Sequence, residues 1–274
     1  MADFRLLDGM NYENAGANTG TSGAVALTGG GANVKGAWSQ LIAATARDAT
    51  GIFVSLGRTA ASGDSALVDI GIGAAASEQV LVPNLFRYNA ADSAEDAYTG
   101  VIPIAVPTGS RLSARCQSPT TASVTACAML VEEGFASPAG QSRVTAYGAL
   151  TATSLGTSVP CTTVNTKGAW TQLTASTGNQ CSGLLLSVST IWPGTNSFQA
   201  VLLDLGIGAG GSEQTILGNL PIGGGYFSSS GATVTRTRYY YFPLVIPAAT
   251  RIAARAQNAT GISTPSYVIV YGIE

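Results

Sequence analysis

The segment KGAWSQL, residues 35 to 41, returns as KGAWTQL at residues 167 to 173, a shift of 132. DIGIGAAASEQ, residues 69 to 79, returns as DLGIGAGGSEQ at 204 to 214, a shift of 135. RLSARCQ, residues 111 to 117, returns as RIAARAQ at 251 to 257, a shift of 140. Pro103 and Pro107 match Pro243 and Pro247. The order never changes, and the shift grows by small insertions, which belong in loops. A chain with this pattern is a tandem duplication of one domain of about 115 residues, a common domain size. Whatever the motifs do, each copy must do for itself. The expected organisation is an N-terminal arm over 1–20, a first domain over 21–134, a connector over 135–144 and a second domain over 145–274. The connector is short, so the two domains are expected to pack in a fixed relation.

Inside each copy the hydrophobic period is two. ALVDIGI puts Val68, Ile70 and Ile72 on one face with Asp69 opposite, and VLLDLGI does the same with Leu203, Leu205 and Ile207. SYVIVYGI near the C-terminus is rich in β-branched and aromatic residues. Short runs of this kind alternate with Gly, Ser, Thr, Asn and Pro. In the first copy they lie near 22–28, 38–44, 50–57, 66–73, 78–85, 98–106, 110–117 and 124–132. No long segment carries a helical stripe. The pattern predicts an all-β protein, a tandem duplication of a jelly-roll-like antiparallel β-sandwich. An immunoglobulin-like sandwich is the alternative, but the Cys-Trp-Cys spacing that favours it is absent.

Charged residues make up only 10% of the chain, against a typical ~25%. Such a chain is expected to bury part of its outside against partners. The net charge of -2 offers no basic face, which argues against nucleic acid. No apolar run approaches the ~18 residues of a membrane span, and the first residues, MADFRLLDGMNYENAG, have no apolar signal-peptide core.

The glycines of DIGIG and DLGIG resemble the G-x-G-x-x-G phosphate loop, and Gly206, Gly208 and Gly211 are in its register. That loop needs a helix with its N-terminus at the pyrophosphate and an acid about 20 residues on. SEQTILGNLPIGGG follows instead, with Gly218 and Pro221 breaking any helix, and residues 225 to 240 hold no acid. No cofactor is expected. The glycines read as bulges or places where another backbone comes close. The chain has no histidine, which excludes Ser-His and Cys-His catalysis. Its four cysteines, Cys116, Cys127, Cys161 and Cys181, form no C-x-x-C pair, and no metal site is expected. Cys116 and Cys127 either are small buried thiols or face each other across a hairpin that sets Ala114 against Met129 and Leu112 against Val131.

The remaining chemistry lies in repeated acids and arginines. Asp69 matches Asp204, Glu78 matches Glu213, Arg111 matches Arg251 and Arg115 matches Arg255. Paired carboxylates can hydrolyse glycosides, but a duplicated set suits a structural task. Glu78 or Asp69 is expected to pair with Arg111 or Arg115, and likewise in the second copy. Trp38 and Trp170, inside the repeated K-G-A-W, are expected to anchor the core; exposed, they would stack on a sugar. TRTRYYYF, residues 235 to 242, has no match in the first copy. Arg236, Arg238, Tyr239, Tyr240 and Tyr241, with Trp192 in TIWPGTN, are the candidate interface, since tyrosine, tryptophan and arginine are enriched at binding hot spots. In a strand the three tyrosines alternate faces. The acidic DSAEDAY, residues 92 to 98, is the matching insertion of the first copy, and the two are expected to meet between subunits.

The strings DIGIGAAASEQVLVPNL and IPIAVPTGSRLSARCQ, with their second copies, resemble those of structural proteins of tailed bacteriophages. The resemblance spans most of both copies and carries no catalytic signature. It implies a non-enzymatic virion component: a capsid decoration or cement protein, a head fibre, or a tail accessory protein. Such proteins are commonly β-sandwiches and often trimers. The implied partners are other copies of the chain and a major capsid or tail protein, with host glycans as the alternative for a receptor-binding role. Nucleic acid and membrane are not among them. The implied location is the virion, assembled in the host cytoplasm.

Overall fold

The computed structural model describes residues 12–18, 23–58, 65–88, 97–120, 123–132, 141–149, 151–161, 163–190, 201–222, 226–227, 233–234, 237–259 and 266–274. All regular structure among them is strand. The first copy contains β1 (Tyr12–Ala15), β2 (Ala17–Asn18), β3 (Gly23–Thr28), β4 (Ser39–Ile42), β5 (Gly51–Arg58), β6 (Ser65–Ile72), β7 (Gln79–Tyr88), β8 (Ala97–Ile102), β9 (Leu112–Gln117) and β10 (Ser123–Val131). The second contains β11 (Val144–Tyr147), β12 (Thr157–Val159), β13 (Thr171–Thr174), β14 (Gly183–Thr190), β15 (Val201–Ile207), β16 (Gln214–Ile222), β17 (Tyr226–Phe227), β18 (Thr233–Val234), β19 (Arg238–Phe242), β20 (Ile252–Asn258) and β21 (Ser266–Ile273).

One sheet of the first copy runs β3-β10-β5-β8 and the other β4-β9-β6-β7. Counted from β3, that is 1-8-3-6 against 2-7-4-5, the strand order of a jelly roll. The second copy repeats it as β12-β21-β14-β19 against β13-β20-β15-β16. The protein is therefore a tandem pair of antiparallel jelly-roll sandwiches. Alternation builds each core. Along β10, Val124, Ala126, Ala128 and Leu130 point inward and are buried, while Thr125, Cys127 and Met129 face out and are less covered.

The structure corrects two expectations and decides against one alternative. Residues 12–18 are not an arm: β1 pairs with β10 from Tyr12↔Val131 to Ala15↔Ala128, and β2 pairs with β3. The second copy has the same leading strand, since β11 pairs with β21 from Val144↔Ile273 to Tyr147↔Val270. Each is followed by a left-handed glycine, Gly16 at φ 88° and Gly148 at φ 84°. Residues 1–11 lie outside the described residues. The connector is shorter than expected, because Arg143 already exchanges backbone hydrogen bonds with Glu274 inside the second copy. Finally, Cys116 and Cys127 do not share a hairpin. Cys116 lies on β9 opposite Val68, and Cys127 lies on β10 opposite Ser55, in the other sheet. In a jelly roll these neighbouring strands cross between sheets.

The two domains share one apolar boundary. The core cluster of the first copy continues through Val144, Leu185, Ile269, Tyr271 and Ile273 of the second. Tyr239 and Tyr241 pack against its margin.

Candidate functional site

Asp69 sits on β6 where that strand meets a bulge in β7. Val68 faces Leu85 and Ile70 faces Val82, so Asp69 alone stands opposite both Pro83 and Asn84. Asn84 adopts φ 52°, a left-handed conformation that asparagine tolerates better than most residues. The bulge turns the Asn84 N–H toward Asp69, where it donates to Oδ1 at 2.9 Å. The second copy repeats this: Asp204 opposes Gly218 and Asn219, Asn219 has φ 56°, and its N–H donates to Asp204 Oδ1 at 2.8 Å. The repeated Asn-Leu of the sequence is this bulge.

Two cations complete the cluster. Lys35 Nζ donates to Asp69 Oδ1 at 2.6 Å and to the Leu67 carbonyl at 3.1 Å. Arg115 Nε donates to Asp69 Oδ2 at 2.9 Å. In the second copy Lys167 Nζ donates to Asp204 Oδ1 at 2.6 Å and to the Leu202 carbonyl at 3.1 Å, and Arg255 Nε donates to Asp204 Oδ2 at 2.9 Å. Burial alone would raise the Asp204 carboxyl. The hydrogen bonds from Lys167, the Asn219 N–H and Arg255 outweigh it and hold the carboxyl below its ordinary value. Burial pushes the Lys35 ammonium below its ordinary value, against the opposing pull of Asp69.

Trp38 lies on this cluster rather than in the core, which corrects the expectation. The Arg115 guanidinium stacks over its ring at 4.4 Å from the centroid, and Arg255 stacks over Trp170 at 4.5 Å. Beneath the ring is Gly71, where an added Cβ would lie 2.7 Å from Trp38 Cη2 and Cζ3. Gly206 stands in the same relation to Trp170. The expected close approach at DIGIG is therefore made by an indole ring. A backbone does come close at the K-G-A-W glycine: a Cβ on Gly36 would overlap the Thr28 carbonyl.

A second ion pair lies at the end of the same sheet. Arg111 Nη1 donates to Glu78 Oε1 at 2.7 Å and to the Gly73 carbonyl at 3.4 Å, while its Nε donates to Gln40 Oε1 at 3.1 Å. Arg251 repeats all three with Glu213 at 2.7 Å, Gly208 at 3.3 Å and Gln172 at 3.0 Å. Burial would raise Glu78 and Glu213, but hydrogen bonds from backbone N–H groups and from the arginine lower both below the ordinary carboxylate value. Beside Arg251 opens a groove of about 700 Å³, lined by Ile207, Gly208, Gln214, Thr250 and Arg251 among others. Arg251 is already engaged by Glu213 there.

The structure thus brings together all eight acids and arginines singled out in the sequence, as Asp69–Arg115, Glu78–Arg111, Asp204–Arg255 and Glu213–Arg251. Sequence reasoning missed Lys35, Lys167, Gln40, Gln172, Asn84 and Asn219. Their signal was their repetition in K-G-A-W-x-Q and N-L.

The tyrosine strand does a different job from the one expected. β19 does form a contact surface, but the described contact joins the two domains of one chain. Tyr239 Oη donates to the Phe86 carbonyl at 2.6 Å. Tyr271 Oη accepts from the Phe86 N–H at 3.1 Å and donates to the Asn84 carbonyl at 2.8 Å. Thr237 Oγ1 accepts from the Tyr88 N–H at 2.9 Å. Side chains of the second copy thereby satisfy the outer edge of β7, whose unpaired backbone groups would otherwise be open to strand addition. Burial raises both tyrosine hydroxyls well above their ordinary value, so both stay protonated donors. Tyr240 turns the other way, into the second core. Arg238 is exposed. Arg236, Trp192 and the acidic residues 92–96 lie outside the described residues, and with them the expected meeting of acidic and basic loops.

No family model matches the chain, and no curated protein matches its sequence. Among solved structures, PNGF-II superposes with a TM-score of 0.37 at 10% identity, over 86% of this chain and 59% of its own. PNGase F, a glycosylasparaginase from Flavobacterium meningosepticum, gives 0.36 at 7% identity over 96% of each chain. The N-terminal CBM22-1–CBM22-2 tandem domain of Paenibacillus barcinonensis Xyn10C gives 0.28 at 9% identity, over 97% of this chain and 91% of its own. All three scores fall below 0.5, so no activity passes from these proteins to this chain.

Proposed function

We propose that the chain is a non-enzymatic structural component of a tailed-bacteriophage virion, a capsid decoration, cement or head-fibre subunit that associates with itself and binds the capsid. The observation that carries this reading is that each repeated acid is already engaged by a cation of its own copy. Asp69 and Asp204 are each held by a lysine, an arginine and a backbone N–H, and Glu78 and Glu213 each hold an arginine. A glycosidase needs two carboxyl groups facing a shared space; here each acid faces its own cations. Each repeated tryptophan carries an arginine over its ring and abuts a glycine of the neighbouring strand, which supports a role in the sheet. The sequence resemblance and the low charge support the same reading.

Labelling of density-gradient-purified particles with an antibody to the chain tests it. The reading expects the chain to band with particles and the label to decorate the head. Label confined to the tail, together with binding to a glycan array, would move the assignment to a tail accessory or receptor-binding protein. A chain that never bands with particles overturns both.

A further inference from the structure

The joint between the two domains is heterologous: the outer face of β14, β19 and β21 in the second copy meets the β7 edge of the first. Because the domains are duplicates, each half of this joint has a counterpart, and one strand of the first copy's counterpart face, β8, itself runs beside β19. The strand registers identify them. Leu185 pairs with Tyr241 and Tyr271, and Phe53 pairs with Val101 and Met129. Ser187 pairs with Tyr239, and Ser55 pairs with Tyr98. Hence Phe53, Tyr98 and Met129 of the first copy stand where Leu185, Tyr239 and Tyr271 stand in the second. On the other side, Leu67 pairs with Phe86 and Leu202 with Pro221, so β16 is the counterpart of β7 and Pro221 that of Phe86.

Leu185 and Tyr271 are fully buried in the joint, whereas Tyr98 is 52% exposed and Met129 38% exposed. Tyr12, 44% exposed, extends the same face along β1. The Tyr98 and Phe53 rings stack with centroids 5.8 Å apart. On β16, Gly218, Asn219 and Pro221 are exposed, whereas Leu85, Phe86 and Arg87 on the β7 edge are buried.

We propose that the Phe53–Tyr98–Met129 face receives the β16 edge of a second copy of the chain, repeating between molecules the joint that links the domains within one. The substitutions match across it. Within the chain, the Tyr271 hydroxyl serves the Phe86 N–H. At the open ends Pro221 has no N–H to be served, and Met129 has no hydroxyl to serve it. The carbonyl that accepts from Tyr239 at Phe86 is retained at Pro221. Proline on an edge blocks strand addition, so the contact is face on edge through side chains, as it is inside the chain. Such a contact is head to tail and closes into a ring or runs into a filament. It rests on the self-association in the reading above and names the surfaces that make it.

Sedimentation velocity on the full chain and two charge variants tests this. The wild type is expected to form multiples of 27.6 kDa. Met129→Arg on the face and Pro221→Arg on the edge should each leave a monomer, with thermal melts checking that both fold; Tyr98→Lys substitutes for Met129→Arg should that variant not fold. An equimolar mixture of face and edge variants retains one intact joint and should form dimers and nothing larger. A wild type that stays monomeric, association that survives either substitution, or a mixture that stays monomeric each overturns the proposal. A chain that bands with particles yet sediments as a monomer overturns this contact and the self-association, and leaves capsid binding standing. Head-to-tail association of a chain absent from particles overturns the virion reading alone.

Discussion

The Tyr271 hydroxyl accepts the N–H of Phe86, 185 residues away in the chain, at 3.1 Å. It is the point at which one jelly roll satisfies the backbone of the other. Tyr271→Phe keeps the ring and removes the hydroxyl, leaving a buried N–H and the Asn84 carbonyl without it. An unsatisfied buried polar group costs about 1–3 kcal/mol. The variant should lose roughly that much in urea unfolding, and amide hydrogen exchange at Phe86 should accelerate more than exchange inside β10. Equal acceleration at both sites would place the effect in general loosening rather than at the joint.

Asp69 balances two cations at the β7 bulge. Asp69→Ala leaves Lys35 and Arg115 facing each other across an empty bulge. Removing one partner of a buried pair is destabilising by about 3–5 kcal/mol; with Arg115 at 28% side-chain exposure, the lower end of that range is expected. Asp204→Ala should act alike in the second domain. The measurement is a denaturant melt of each variant, and near-wild-type stability of both would contradict the structural role given to the cluster.

Gly71 has no room for a methyl group, because an indole occupies it. Gly71→Ala should displace Trp38 from beneath Arg115 and destabilise by about 1–3 kcal/mol, the usual range for overpacking. Trp38 emission should shift to the red in a background carrying Trp170→Phe and Trp192→Phe. Unchanged emission would show that the ring does not lie against the strand.

The acids also set a pH dependence. Glu78, Glu213 and Asp204 have folded values below their ordinary values of 4.5 for glutamate and 3.8 for aspartate. A carboxyl lowered by folding stabilises the native state above its unfolded value, and that stability is lost as pH falls through the folded value. Denaturant midpoints should stay level from pH 7 to about 5 and fall below about pH 4.5. Glu78→Gln with Glu213→Gln should flatten part of that fall. An unaltered acid limb would mean these two pairs contribute nothing to it.

Much of the fold was legible in the sequence because a jelly roll writes itself in period two. Val68 and Ile70 point inward, and Asp69 between them points out to its cations. The duplication also separated task from accident: a residue kept in both copies, such as Arg111 and Arg251, had a partner kept in both copies. Pairing across distance was harder to read. Lys35 reaches Asp69 from a loop 34 residues earlier, and only the folded sheet puts them together. Trp38 read as core because a repeated aromatic usually is, but its cover is the Arg115 side chain, which the sequence places 77 positions later. The alternative of a Cys116–Cys127 hairpin is ruled out by topology, since β9 and β10 belong to opposite sheets. The joint was half visible: the tyrosines of β19 marked a contact surface, but Tyr271 lay hidden in an ordinary apolar strand.

The central claim is the proposal that two jelly rolls packed against each other, with their repeated acids ion-paired, serve as a building block of a phage particle. A cryo-electron microscopy reconstruction of intact virions that encode the chain tests it most directly. The account predicts paired jelly-roll density seated on the capsid, with the second sandwich packed on the β7 edge of the first. Particles in which every surface density is assigned to other proteins, with this chain absent, would contradict it.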